Sequence, residues 1–182
     1  MKFELLVACA PAPLLLWACA SAPRQMAAHP EAPHRGEILD TVDAFFLALA
    51  SSDADAIAAL HSPGAVNVIA EPEKGASIRY RPVSEMIGRI KNGAFPKFHE
   101  RYWDPAVLER GGLAVVWAPY SIDQDGARLH CGADIFNLSK HGETWKIDSL
   151  SFTIEPSACG EINPGEGAII RPDFSALDAK EN

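Results

Sequence analysis

The stretch that decides the fold runs from Trp103 to Cys159 and reads WDPAVLERGGLAVVWAPYSIDQDGARLHCGADIFNLSKHGETWKIDSLSFTIEPSAC. Apolar and polar residues alternate along it with a period of two, which is typical of half-buried antiparallel strands. Three turn signals separate four strand-like runs: Arg110-Gly111-Gly112, Asp125-Gly126 and His141-Gly142. Short Gly-containing turns of this kind favour tight hairpins. The block therefore predicts an antiparallel meander.

The residues before this block follow helical spacing instead. The segment from Gly36 predicts a helix packed on a core, since apolar residues recur there at three- and four-residue steps. They are Ile38, Leu39, Val42, Phe45, Phe46 and Leu49. Ser52 or Asp53 can cap a second, shorter helix that ends near Leu60.

A hairpin and a third helix are predicted between the helix pair and the β block. Residues 65–70 and 77–81 are typical of short strands around the turn Glu71–Gly75. Pro82 opens the third helix, and Asn92-Gly93 ends it. This order predicts an α+β domain with three N-terminal helices on one side of a curved, mostly antiparallel sheet of about six strands.

Several motifs between Gly36 and Cys159 resemble the nuclear transport factor 2-like superfamily, which includes ketosteroid isomerase-like and polyketide cyclase-like (SnoaL-like) proteins. They are AFFLALASSDADAIAALH (44–61), WDPAV (103–107), VWAPY (116–120), HCGADIFNL (130–138), WKI (145–147) and EPSAC (155–159). Their order and spacing are most similar to a bacterial branch labelled lumazine-binding, a label that is not itself a sign of lumazine. The resemblance implies a cone-shaped fold with the helices on the concave face of the sheet.

Size and composition narrow the class of protein. The 182 residues suit one domain with a full core. The net charge is −8, and no cluster of Lys and Arg is present to neutralise phosphates, so a nucleic-acid partner is not expected.

The N-terminal residues 1–22 resemble a signal peptide, with one basic residue, an apolar stretch and small residues near the end. Leu16-Trp17-Ala18-Cys19 also resembles a lipobox, in which Cys19 would be lipidated. A lipoprotein, a secreted or periplasmic protein and an uncleaved segment all stay open. The protein is expected in a bacterial envelope, either in the periplasm or anchored to a membrane as a lipoprotein. The expected organisation is a signal segment (1–22), a linker (23–35), the folded domain (36–159) and a tail (160–182).

Two cysteines remain for the folded domain once Cys9 and Cys19 are set aside as part of the targeting segment. An exported protein meets an oxidising compartment, where disulfides form and persist. A Cys131–Cys159 bridge and two buried free thiols are both compatible with the sequence.

The hairpin turns predict which side chains share a face. A two-residue turn at Asp125-Gly126 places Trp117 opposite Asp134, and a turn at His141-Gly142 places Asp134 opposite Ser149. The concave face then forms an apolar pocket that turns polar around Asp134, as small-molecule sites do. Tyr120 falls on the outer face, where pairing with a second subunit and a role in a site are equally compatible with the sequence.

Asp134 is the candidate catalytic residue, with His130 beside it on the same face. A carboxylate among aromatic side chains would have a raised pKa, suited to general acid–base work. The alternative is a structural acid that is hydrogen-bonded to its neighbours. The expected ligand-binding residues are Trp117, Phe136, Ser149, Ser151, Phe45 and His61.

Three functions follow from this pocket. The first is a small-ligand-binding or accessory protein that takes a small apolar or aromatic molecule. The second is a cofactor-independent isomerase, dehydratase or cyclase that uses Asp134 and His130. The third is a homodimeric interaction module that pairs through the outer sheet face. No phosphate loop, nucleophile elbow or zinc motif is present in the sequence, and neither a cofactor nor a metal is expected.

Overall fold

The computed structural model describes residues 32–175 together with 177 and 179. Helix α1 spans Arg35–Ala50, α2 spans Ala54–Leu60 and α3 spans Val83–Lys91. The Asp53 side chain accepts a hydrogen bond from the Ala56 N–H at 2.9 Å, so it caps α2 as its sequence position predicts. All three predicted helices are confirmed.

Within the described residues, eight strands form one sheet, two more than the sequence predicts. They are β1 (His61–Glu71), β2 (Ser77–Pro82), β3 (His99–Trp103), β4 (Ala106–Arg110), β5 (Leu113–Gln124), β6 (Ala127–His141), β7 (Thr144–Thr153) and β8 (Ile170–Arg171). The order across the sheet is β2-β1-β7-β6-β5-β3-β8, with β4 paired beside β3 on β5. Every pairing is antiparallel except β1 with β7, so the predicted α+β class and mostly antiparallel sheet are confirmed.

The core lies between the helices and one face of the sheet. Helix α1 buries an apolar stripe against β3 and β7, and its Phe45 and Phe46 rings contact Phe136 of β6 at 6.0 and 5.6 Å between centroids. Burial of aromatic side chains of this size is the main source of stability in such a layer. The helices therefore cover the concave face, as expected.

The register of the β5–β6 hairpin differs from the prediction. The turn at Asp125-Gly126 is present, with positive φ at both residues, and it pairs Gln124 with Ala127 as expected. A bulge then inserts one extra residue into β6 at Leu129. Trp117 consequently pairs with Ile135 and not with Asp134. Because a shift of one residue reverses the face to which side chains point, Trp117 and Asp134 lie on opposite faces of the sheet.

The β6–β7 hairpin also differs. Its turn is Gly142-Glu143 rather than His141-Gly142, because Gly142 adopts the positive φ needed at the first central position of the turn. A second irregularity follows between Asn137 and Leu138. Asp134 therefore pairs with Phe152 of β7 and not with Ser149.

The C-terminal residues return to the sheet. A disulfide joins Cys131 of β6 to Cys159, in the short 3₁₀ helix Pro156–Gly160. Strand β8 pairs with β3, and Phe174 beyond it is buried. Part of the predicted tail, at β8 and Phe174, thus packs on the domain.

The predicted signal segment and Cys19 lie outside the described residues, as does most of the predicted linker. The last residues of that linker are described, and they contact the domain. The His34 N–H and Nδ1 lie 2.9 and 2.6 Å from the two carboxylate oxygens of Glu109 on β4.

Candidate ligand cavity

A cavity of about 350 Å³ opens between the helices and the concave face of the sheet. Its wall is largely apolar, with polar groups at two places. Its lining includes Phe45, Asn67, Arg79, Arg81, Glu85, Met86, Arg89, Phe95, Glu100, Leu129, His130, Phe152 and Ile154. Volume and composition both fall within the usual range for small-molecule sites.

The first polar place is a pair of buried carboxyl groups. Glu100 of β3 is 7% exposed and lines the cavity. Asp134 of β6 is 0% exposed and lies next to Glu100, behind the cavity lining. Strand β5 lies between β3 and β6, and it presents the small side chain of Ala118 opposite Asp134. Glu100 lies opposite Ile122 of the same strand, so the two carboxyls are placed diagonally across β5.

Burial controls the ionisation of this pair. Burial raises the pKa of Glu100 well above its usual range, and the charge of Asp134 and a hydrogen bond to its carboxylate raise it further. Burial also raises the pKa of Asp134, although the hydrogen bond from Glu100 opposes that effect. Two close carboxyls cannot both ionise easily, and every cause acts to raise the pKa of Glu100, so Glu100 is the member of the pair that keeps a proton.

Tyr120 and Gly132 pack beside the carboxyl pair. The Tyr120 hydroxyl donates to the Thr153 carbonyl oxygen at 2.6 Å. Burial, followed by the charges of Glu100 and Asp134, raises the pKa of Tyr120 above its usual value. Tyr120 therefore stays neutral. We call Glu100, Tyr120, His130 and Asp134 the acid wall.

Two cavity groups lack a hydrogen-bond partner within the described part of the chain. The buried Nε2 of His130 has none, and its ring meets Tyr120 edge-on at 5.8 Å. Burial lowers the pKa of His130, which favours the neutral imidazole. Asn67 is 8% exposed, and its Oδ1 is also unpartnered. A buried polar atom without a partner is costly, so each is a place where a ligand can donate or accept a hydrogen bond.

The second polar place is exposed. Arg79 and Arg81 of β2, with Glu85 and Arg89 of α3, line the cavity where it meets solvent. Arg79 pairs with Glu71 at 2.9 Å, and Arg81 pairs with Glu85. We call these four lining residues the arginine rim.

The structure brings some of the predicted site residues together. Phe45 and His130 line the cavity, and Asp134 adjoins it through Glu100. Phe136 and His61 are buried in the core against Phe45 instead, and the His61 Nδ1 lies 2.7 Å from the Ile57 carbonyl oxygen. These two support the cavity wall and do not line it.

Three predicted ligand-binding residues lie on the opposite face of the sheet, and for them the predicted position is wrong. Trp117 is 46% exposed there. Ser149 accepts a hydrogen bond from the Asn137 side chain at 2.9 Å, and Ser151 pairs with Ile135. Tyr120 is displaced the other way, from the expected outer face to the core. The two bulges cause all four errors, because each shifts the strand alternation by one residue.

Glu100, Asn67 and the arginine rim were not predicted as site residues. Glu100 carries a local signal, since the buried Glu100 and Tyr102 alternate with two half-buried polar residues along β3. That signal shows which face Glu100 shares but not that Asp134 is its neighbour. Asp134 is a neighbour of Glu100 only because β3 and β6 lie on either side of β5, and no local sequence pattern predicts that strand order.

Neither a metal site nor a spanning helix is found in residues 32–175. No group of three or more His, Cys, Asp or Glu is arranged there to bind a metal ion. No helix in the same part of the chain has the length and apolar character needed to cross a membrane.

Comparison with solved structures identifies the architecture. A nuclear transport factor 2-like protein with a cystatin-like fold from Novosphingobium aromaticivorans aligns with a TM-score of 0.55 at 11% identity, over 69% of this chain and 84% of that one. The chain has the nuclear transport factor 2-like fold. Another protein with this fold, from Cytophaga hutchinsonii, aligns with a TM-score of 0.52 at 16% identity, over 68% of this chain and 99% of that one.

A candidate beta subunit of an aromatic-ring-hydroxylating dioxygenase from Novosphingobium aromaticivorans is also similar, with a TM-score of 0.55 and 15% identity over 66% of this chain and 88% of that one. No protein-family model and no curated protein sequence matches the chain. At these identities the nuclear transport factor 2-like fold is shown and a shared activity is not. The lumazine-binding branch gains no support.

Proposed function

We propose that this protein is an exported small-ligand-binding or accessory protein that holds a largely apolar molecule in its cone cavity. The observation that carries the proposal is a cavity of about 350 Å³ whose apolar wall contains unpartnered polar atoms of Asn67 and His130. An apolar site with a few oriented polar groups is what small-molecule recognition requires. The nuclear transport factor 2-like fold of its structural neighbours is consistent with this role.

Met86 provides a direct test of binding. It lines the cavity, and the other methionines of the chain, Met1 and Met26, precede the described residues. The purified full-length chain with methyl-labelled methionine is titrated with N-phenylnaphthylamine, a neutral aromatic probe, and followed by NMR. We expect a saturable shift of one methyl signal, which Met86→Leu identifies by removing it.

A matched pair of substitutions locates the probe. Ile154→Trp adds an indole to the cavity lining, whereas Ile135→Trp adds the same group to the outer face of the sheet. We expect the first to weaken probe binding and the second to leave it unchanged. Equal effects of the two variants, or an unmoved Met86 signal, would contradict binding in the cavity.

A proton-transfer enzyme of the isomerase, dehydratase or cyclase type is the second candidate. It is favoured by the acid wall, where Glu100 joins Asp134 and His130 as a third ionisable group. A neutral Glu100 facing the cavity can donate its proton to a carbonyl oxygen while the neutral His130 imidazole accepts a proton from the neighbouring carbon, and reversal of both transfers returns each group to its starting state.

Deuterium exchange tests this second candidate. Small ketones are incubated with the protein in deuterium oxide, and the exchange of protons next to the carbonyl is followed by NMR. We expect exchange above background that Glu100→Gln and Asp134→Asn abolish while N-phenylnaphthylamine still binds. Exchange that persists in both variants, or none with the wild-type protein, counts against an enzyme.

The outer face of the sheet supports a further proposal, a homodimer of this chain. Leu108, Leu113, Trp117 and Ile135 are exposed large apolar residues on neighbouring strands β4, β5 and β6. Contiguous exposed apolar residues of this kind are typical of interaction surfaces. Sedimentation of the wild-type protein and of Trp117→Lys is the test. A wild-type protein that stays monomeric at high concentration would exclude the dimer.

Export and lipid anchoring at Cys19 belong to the same proposal. They are supported by residues 1–22 of the sequence and by the compatibility of the Cys131–Cys159 bridge with an oxidising compartment. Intact-mass measurement on protein recovered from a bacterial envelope distinguishes a lipidated Cys19, a cleaved soluble form and the uncleaved chain.

A further inference from the structure

The cavity lining is cationic although the chain as a whole is acidic. Arg79, Arg81 and Arg89 line it, against Glu85 and the Glu100 that burial keeps protonated. The net charge of the whole chain is −8. Three guanidinium groups therefore lie at the exposed edge of one apolar cavity although the net charge of the chain is negative. Their positive charge favours a negatively charged ligand group at that edge.

Arg89 differs from the other two arginines. Arg79 is paired with the Glu71 carboxylate, and Arg81 with that of Glu85. The Arg89 guanidinium donates to the Ala94 carbonyl oxygen at 3.2 Å and lies 5.4 Å from the centroid of the Phe95 ring. Among the residues that the structure describes, these contacts hold the side chain in place while no carboxylate neutralises it.

The ring beneath Arg89 belongs to the cavity as well. Phe95 lines it, so a charged group bound at Arg89 would sit where the apolar wall meets solvent. Asn67 lies inside the same cavity, and its unpartnered Oδ1 can accept a hydrogen bond from the ligand. The lining thus has three parts: a fixed cation, an apolar wall and a buried acceptor.

We propose that the ligand is an amphipathic organic anion, with its acidic group against Arg89, its apolar body in the cavity and a hydroxyl or N–H group donating to Asn67. This inference rests on the proposed function, and it adds the charge and polarity of the ligand. A guanidinium suits this role because its several N–H groups can donate to two oxygens of a carboxylate, sulfonate or phosphate at once.

Two fluorescent probes with the same aromatic body separate charge from apolar binding. Anilinonaphthalene sulfonate is permanently anionic, and N-phenylnaphthylamine lacks the sulfonate. Both are titrated into the full-length chain, with the Met86 methyl signal reporting occupancy of the cavity. We expect the anionic probe to bind about tenfold more tightly than the neutral one, the ratio that one charge-assisted hydrogen-bonded contact supplies.

Arg89→Gln is the decisive variant, and Arg110→Gln is its control, because Arg110 is exposed on β4 and lies outside the cavity lining. We expect Arg89→Gln to weaken the anionic probe about tenfold and the neutral probe less than about twofold. Arg110→Gln should change neither. Retained binding of the neutral probe also shows that the variant is folded.

The remaining outcomes separate the proposal of an anionic ligand from the proposal that the cavity binds a ligand at all. Equal binding of both probes to the wild-type protein, or equal weakening of both by Arg89→Gln, overturns the anion proposal and leaves ligand binding intact. The same loss in Arg110→Gln also overturns it, because a general field and not a site would then be responsible. Failure of both probes to move the Met86 signal overturns the proposed function itself.

Discussion

The acid wall and the arginine rim lie at one cavity, which Glu100 and His130 of the wall and all four residues of the rim line, and the two groups differ in their exposure to solvent. At the wall, Asp134 is 0% exposed, and burial is the largest cause of the pKa shifts of Glu100, Tyr120, His130 and Asp134. At the rim, the side chains of Arg81 and Glu85 are 46% and 45% exposed. Charges in water interact weakly, whereas buried charges are expensive.

This difference in exposure determines what a substitution changes at each place. A change at the wall alters packing, protonation and stability together, because no solvent is present to compensate. A change at the rim alters the charge that a ligand meets and leaves the fold nearly untouched. Substitutions of the same chemical kind at the two places should therefore have unequal effects.

Gly132→Ala is expected to have the largest effect. A Cβ at Gly132 would lie 2.2 Å from the Thr153 carbonyl oxygen and 2.8 Å from the Tyr120 ring, so the wall would have to move. We expect the free energy of unfolding to fall by about 3 kcal/mol or more in urea denaturation, the upper range for overpacking. Gly88→Ala is the control in α3 beside the rim, where a Cβ meets no atom within 4 Å. It should stabilise the protein by about 0.5 kcal/mol or more, and similar effects of the two substitutions would show that the wall is no more tightly packed than the rim.

Removal of the disulfide is next in size. The bridge joins Cys131, next to Gly132, to Cys159, so it holds the wall to the segment that follows β7. We expect the double variant Cys131→Ala, Cys159→Ala to lose about 2 to 3 kcal/mol of unfolding free energy. Reduction of the wild-type protein should reproduce the loss. An unchanged denaturation midpoint in both experiments would mean that the bridge adds nothing to the wall.

The sequence predicts the rim side of the molecule better than the wall. The helices follow from spacing and from the cap at Asp53, which are local signals, and α2 and α3 form as expected. The burial of Asp134 also follows from alternation along β6. Its neighbours do not, because the bulge at Leu129 has no turn residue to mark it, and Glu100 joins Asp134 only through the strand order β6-β5-β3.

Glu100→Gln tests the ionisation of the wall. Because the pKa of Glu100 is raised above its ordinary 4.5, the folded state holds a proton that the unfolded state releases. Stability is therefore fully present below that pH and is lost as pH rises toward the folded pKa, by about 1.4 kcal/mol for each pH unit per proton. We expect Glu100→Gln to flatten this decline. The lowered pKa values of His61 and His130 give the opposite slope in wild type and variant alike.

Urea denaturation between pH 4 and pH 8 measures that slope. The control is Glu85→Gln, the same substitution at the rim, which should leave the pH dependence unchanged. A Glu100→Gln variant with the wild-type slope would show that Glu100 is ionised in the folded state.

Arg81→Gln, a substitution at the exposed rim, should have the smallest effect on stability. It breaks the ion pair with Glu85, but both side chains are nearly half exposed, so solvent and salt screen most of the attraction. We expect the unfolding free energy to change by less than about 0.5 kcal/mol at physiological salt. A loss above about 1 kcal/mol would make the rim part of the folded framework, and the proposed division of the cavity would then fail. A small change would show that the Arg81–Glu85 ion pair contributes little to the unfolding free energy. That result would agree with a rim whose charges face a ligand and do not hold the fold together.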